Sequence, residues 1–229
     1  MILLILRTHI AHFQLNNYIW QQQGNQLYNR LLVILYYLGD LYHKRFIMPI
    51  LHKFRDHQIA ADTEILILGT FSGDTEEGTD FFYGRSRNFL WHLLPQCWGK
   101  EPLKETGLAE KRRFMAEYKL DFADLIHAID VPEGEEKNVD DAFIDAHAIE
   151  WKDIIQIMES LSKLKAVYFT RKTFNGIPNA KKHLIPIVEY CRQKNIRVCK
   201  LETPAKFYSP EKLQQWKDTI VSKKTCLKP

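Results

Sequence analysis

The stretch Ile65-Leu66-Ile67-Leu68-Gly69-Thr70-Phe71-Ser72-Gly73-Asp74-Thr75, followed by Phe81-Phe82-Tyr83-Gly84-Arg85-Ser86-Arg87-Asn88-Phe89-Leu90-Trp91, decides how this chain is read. Asp62-Thr63-Glu64 supplies polar turn residues, and Ile65 to Leu68 is a short apolar run without alternation, the pattern of a parallel strand covered on both faces. Gly69 and Gly73 lift the steric limits on the backbone, so the chain can turn sharply where the strand ends. In open α/β sheets that carboxyl end is where ligands bind. Beyond it come an aromatic, two arginines and an amide. Then Phe89, Leu90, Trp91, Leu93 and Leu94 form the apolar side of a helix that Pro95 should stop.

Working outward, Leu120 to Ile126, Ala166 to Thr170 and Ile196 to Leu201 read as three more strands. Between and after them, Leu108 to Tyr118, Ile149 to Ser162, Ala180 to Lys194 and Lys212 to Ser222 carry helical apolar spacing. Strands alternating with helices imply parallel crossovers. The expected fold is therefore α/β, a three-layer α/β/α sandwich with a central, mainly parallel four-stranded sheet. There are no internal repeats and no long low-complexity linker.

With 229 residues, 45% hydrophobic and 26% charged, the chain has the composition of a globular protein with one substantial core. Its net charge of +4 is compatible with a nucleic-acid partner without arguing for one. No Gly-x-x-x-x-Gly-Lys-(Ser/Thr) or Gly-x-Gly-x-x-Gly pattern is present, which weakens a nucleotide-hydrolase reading of the Gly-containing turn. The nine histidines are scattered, and no metal site is expected. Cys97, Cys191, Cys199 and Cys226 contain no Cys-x-x-Cys pair, so a reduced, cytoplasmic protein is expected. Neither Met1 to Leu6 nor Leu31 to Leu38 approaches the roughly 20 apolar residues of a membrane helix, and the opening run lacks the marks of a signal peptide.

The residues around the first strand resemble the uracil-DNA glycosylase superfamily, especially its mismatch-specific and hypoxanthine-DNA glycosylase branch. Gly69-Thr70-Phe71-Ser72-Gly73 is similar to the first motif of that branch, Gly-(Ile/Ser/Thr)-(Asn/Phe)-Pro-Gly. Tyr83 with Asn88, Phe89 and Trp91 matches its second, more specific element. Leu120-Asp121-Phe122-Ala123-Asp124-Leu125-Ile126 looks like the strand with an Asp-(Val/Leu)-Ile ending, and Glu202-Thr203-Pro204-Ala205-Lys206-Phe207-Tyr208 stands where the superfamily places its DNA-penetrating loop. The resemblance covers most of Pro49 to Ile220. Residues 48–229 are thus expected to form a glycosylase-like domain with Met48 as its natural beginning, and residues 1–47 a poorly fixed N-terminal extension.

The resemblance implies a monomeric base-excision enzyme that flips a deaminated or mismatched base out of DNA and hydrolyses its N-glycosidic bond. It implies no cofactor, and the cysteine placement of the iron–sulfur members is missing. Two departures stand out: Phe71 occupies the position where many members hold a water with Asp or Asn, and Thr203 replaces a histidine donor. A non-catalytic DNA-binding member of the same fold is therefore the alternative. The base pocket would be formed by Gly69, Thr70, Phe71, Ser72, Tyr83 and Thr203. Tyr83 would stack on the flipped base or simply pack in the wall. Asn88 would be the catalytic amide, with helix capping as the competing role. Asp74 would serve as general base, against a plain turn-forming role. Arg85, Arg87, Arg171, Lys172 and Lys206 would meet phosphates, and Phe207 would wedge into the duplex or pack against the last helix.

Overall fold

The computed structural model describes residues 49–74 and 80–222, so the expectations for residues 1–47 and for Cys226 lie outside the described residues. Four strands, β2 (Ile65–Gly69), β3 (Leu120–Asp124), β6 (Ala166–Phe169) and β7 (Arg197–Lys200), form the expected sheet in the order β3-β2-β6-β7, with every pairing parallel. The register places Gly69 beside Asp124 and Leu68 beside Phe169, so three strands end together at one edge.

Because side chains alternate along a strand, β2 feeds two cores. Leu66 and Leu68, with Val167 and Phe169, pack against α3 (Asp141–Ala146), α4 (Ile154–Ser160) and α5 (Pro178–Gln193) through Ile144, Met158, Leu184 and Ile187. Ile67, with Phe122 and Tyr168, packs on the other face against α1 (Leu90–Gln96), α2 (Leu108–Tyr118) and α6 (Pro210–Ile220) through Trp91, Phe114 and Trp216. This is the three-layer sandwich read from the sequence.

Three local outcomes differ from the sequence expectation. Helix α1 runs through Pro95 instead of stopping before it. Proline removes the N–H that would have bonded Trp91 four residues back, and the Trp91 carbonyl instead accepts from the Leu103 amide at 2.7 Å. The helix expected from Ile149 begins only at Ile154, where the Asp153 carboxylate accepts from the Gln156 amide. The residues before it form β5 (Ala148–Trp151), which joins β4 (Ile126–Ile129) and β1 (Ile50–Leu51) in a small antiparallel sheet of order β1-β4-β5.

The third difference is covalent. Cys199, buried on β7, is disulfide-bonded, against the expectation of a fully reduced chain. Cys97 and Cys191 are free, and burial pushes their thiols up to about 12 and about 11, so neither is an active nucleophile at neutral pH. Among the described residues, no helix is long and apolar enough to cross a membrane.

Candidate functional site at the carboxyl edge of the sheet

The small sheet carries a residue to the large one. Strand β1 delivers His52, whose amide donates to the His127 carbonyl at 2.8 Å and which bridges to Gly73 in the turn after β2. The Lys53 amide donates to the Ser72 carbonyl and the Asp74 amide to the Leu51 carbonyl, so the first-motif loop is stitched along this segment. His52 is fully buried, with Phe71, itself buried, packed edge-on at 5.8 Å.

His52 has a fixed tautomer. The Phe54 amide donates to Nδ1 at 3.1 Å, making that nitrogen an acceptor, so Nε2 carries the proton and donates to Asp124 Oδ2 at 2.8 Å. Asp124, the last residue of β3, is only 3% exposed. With one oxygen committed to His52, its other oxygen, Oδ1, has no hydrogen-bond partner among the described residues.

Oδ1 lies over Gly69. A methyl group placed on Gly69 would meet it at 2.2 Å and the Tyr83 hydroxyl at 2.6 Å. Glycine is therefore required by close approach at this position. Tyr83 enters from the opposite side with φ +58, a left-handed backbone that is rare for an aromatic and marks a constrained position. Thr170 donates to the Leu68 carbonyl at 3.3 Å, so the Tyr83 hydroxyl donates to Thr170 Oγ1 at 3.1 Å. Burial first, then the Asp124 charge, pushes the Tyr83 hydroxyl well above the usual tyrosine value, so it stays protonated. Its ring packs on Phe122 at 5.7 Å. The Arg85 guanidinium is partly desolvated and lies in the fields of Asp141 and Asp124.

The remaining sequence-selected residues fall into groups. Gly69, Thr70, Phe71 and Tyr83 sit at this strand edge, and Thr70 is held there by its carbonyl, which accepts from the Ile126 amide. Asn88, Arg87 and Lys206 meet on a second feature, a lip where two loops are zipped together. Asn88 bridges to Ala205, the Lys206 amide donates to the Arg87 carbonyl, and the Phe89 amide donates to the Pro204 carbonyl. Phe207 on this lip is 56% exposed. Asn88 Oδ1 accepts from the amide of Leu90, the first residue of α1, leaving Nδ2 as its open donor. Exposed Thr203 accepts the Ala205 amide within its own turn.

Other candidates are drawn into ion pairs. Asp74 is half-exposed and paired with Arg55 at 3.1 Å. Arg171 is paired with Asp141, and Lys172 with Glu202 at 2.8 Å. The residues the sequence reading missed are His52 and Asp124. Asp124 stood in the Asp-Leu-Ile ending, but its partner lies 72 positions upstream, a separation that no local pattern encodes. No group of three or more His, Cys, Asp or Glu residues suited to a metal ion occurs among the described residues.

No protein-family model matches this chain, and no curated protein does. Among solved structures, the chain is similar to the solution NMR structure of a "putative Uracil DNA glycosylase" from Methanosarcina acetivorans, at 20% identity and a TM-score of 0.50, over 69% of this chain and 89% of that one. The likeness establishes a shared glycosylase-like α/β/α fold.

Proposed function

We propose that this chain is a monofunctional DNA glycosylase of the uracil-DNA glycosylase superfamily. It takes a deaminated or mismatched base extruded from DNA into the recess at the ends of β2 and β3 and hydrolyses its N-glycosidic bond, without metal or organic cofactor. The observation that carries this reading is the open Asp124 Oδ1, a fixed acceptor whose twin oxygen is held by His52. Deamination turns the bare ring nitrogen of cytosine or adenine into the N–H of uracil or hypoxanthine, and thymine and xanthine carry the same N–H. A buried acceptor favours that N–H and penalises a ring lone pair, the kind of polar mismatch that gives strong discrimination. The pairing of Tyr83 with Asn88, Phe89 and Trp91 supports the mismatch-specific and hypoxanthine branch.

In this reading Gly69, Thr70, Phe71, Ser72 and Tyr83 form the pocket with Asp124. When the bond from C1′ to the base nitrogen breaks, the electron pair goes to the base. The Asp124 charge selects the substrate but does not help that departure, so stabilisation falls to Arg85 and to the open Nδ2 of Asn88. Water then adds at C1′, and Asp74 is the carboxylate proposed to take its proton, released from Arg55 as DNA binds. Arg87 and Lys206, both exposed and without an ion pair among the described residues, would hold phosphates, and Phe207 would fill the gap left in the duplex. Arg171 and Lys172 would join them by exchanging Asp141 and Glu202 for phosphate. DNA is the partner, met by a monomer.

A second reading, a DNA-binding member of the fold without catalysis, is favoured by Phe71 at the water position and by the Asn88 oxygen being spent on the Leu90 amide. Base release from single- and double-stranded oligonucleotides carrying uracil, hypoxanthine, xanthine or a G·T mismatch separates the two. The glycosylase reading expects release from at least one, falling about 100-fold or more in Asn88→Ala, a magnitude typical of losing one stabilising donor. No release with salt-sensitive binding retained supports the binder. Loss of both rejects both.

A further inference from the structure

The described part of the molecule has a cavity that takes no part in the recess. Strand β3 is an edge of the parallel sheet, and no fifth strand covers it among the described residues. Instead, the segment after β1 crosses over it and is tied down at Asp121, which accepts from His57 Nε2 at 2.6 Å, from the Ala60 amide at 3.0 Å and from the Phe122 amide at 2.8 Å. Farther along, the chain leaving β5 returns to the same edge, where the Lys152 amide donates to the Leu125 carbonyl. Between these two crossings opens a cavity of about 320 Å³. None of Gly69, Tyr83, Asp124 or Thr170 lines it. Its volume reaches the lower end of the range of small-ligand sites, roughly 300 to 1,000 Å³.

The lining combines aromatic surface, ring nitrogens and charges of both signs; of its carboxylates, Glu150 stands 4.0 Å from His127 Nε2 and Asp153 accepts from the Gln156 amide. Phe82, Phe122 and Trp151 supply aromatic surface, and Trp151 is held flat by stacking on His183 at 3.9 Å and 8°. His57 supplies a ring nitrogen: its Nε2 is committed to Asp121, and its Nδ1 has no hydrogen-bond partner among the described residues. Lys152 supplies a cation whose Nζ has neither hydrogen bond nor ion pair among the described residues; burial lowers its affinity for the proton, and the Asp124 charge partly opposes that. Arg55 lines the same cavity, with its charge shared with Asp74. A partly desolvated ammonium without a direct partner, beside aromatic surface, is unfavourable when empty and favourable when an anion neutralises it.

We propose that this cavity is a second binding site, for a heteroaromatic ring that bears an N–H donor and a phosphate, the chemistry of a nucleoside monophosphate. The ring lies on the aromatic wall, its exocyclic N–H donates to His57 Nδ1, and its phosphate is held by Lys152 with Arg55 at the rim. The inference does not rest on the glycosylase reading, since it shares no reacting residue with it.

The test uses the full chain and 2′-deoxyadenosine 5′-monophosphate, whose adenine offers an amino N–H and lacks the lactam that the recess would select. Calorimetric titration should give one saturable site, with deoxyadenosine and inorganic phosphate each binding at least tenfold more weakly. Lys152→Met, which keeps the aliphatic stem, should weaken binding at least tenfold with an unchanged melting temperature, and Tyr83→Phe should leave it unchanged. Absence of saturable binding at millimolar ligand would overturn the proposal. So would equal affinity in Lys152→Met, or a loss in Tyr83→Phe, which would place the ligand in the other site.

Discussion

Replacing Gly69 by alanine is expected to reduce base release by about 100-fold or more while the chain stays folded. The added methyl group would stand 2.2 Å from Asp124 Oδ1 and 2.6 Å from the Tyr83 hydroxyl, closer than any real contact allows. Neither atom has room to retreat freely. Asp124 is 3% exposed and held by buried His52, and Tyr83 is tied through Thr170 to the Leu68 carbonyl. Overpacking of this kind costs about 1–3 kcal/mol of stability. A displacement near 1 Å at reacting or reading groups costs about 100-fold in rate. Single-turnover release and a thermal melt on the same preparation check the two halves. Full activity in the variant would mean that the base does not bind over Gly69.

Asp124→Asn should reverse what the recess accepts. His52 Nδ1 accepts from the Phe54 amide, so Nε2 must donate, and it would hold the amide oxygen of the new side chain. The amino group would then face the recess over Gly69, presenting a donor where the wild type presents an acceptor. Release of bases with a lactam N–H should fall by about 100-fold or more, and bases with a bare ring nitrogen should become the better ligands. Shape and the His52 hydrogen bond are kept, so the melting temperature should move little. Asp124→Ala differs in kind: it orphans a fully buried imidazole donor, at about 1–3 kcal/mol. An Asp124→Asn enzyme with unchanged substrate preference would show that this carboxylate does not read the base.

The parallel sheet was legible because its strands are apolar runs bounded by turn residues, and Ile65 to Leu68 appears where its composition places it. The two-sided core followed from those runs, because successive side chains on a strand point to opposite faces. The small sheet was not legible, because β1 is two residues long and β5 is half exposed. Both strands exist through pairing with β4. That hidden sheet delivers His52, so the buried pair at the recess was hidden with it. The lip was partly legible: Arg87, Lys206 and Phe207 do come together with Asn88, but the exchange of backbone hydrogen bonds between those loops has no sequence signature. Ion pairing withdrew Asp74, Arg171 and Lys172 from the open set, a consequence of tertiary neighbours alone.

The central claim is that Asp124 accepts a hydrogen bond from the lactam N–H of an extruded base, and a change on the substrate tests it without altering the protein. Single-turnover release should be compared between DNA carrying uracil and DNA carrying 3-methyluracil, and between hypoxanthine and 1-methylhypoxanthine, with enzyme in excess. Each methyl group replaces the N–H and nothing else. The account predicts release from at least one unmethylated base and a loss of about 100-fold or more from its methylated partner. Equal release of the methylated and unmethylated pair would contradict it.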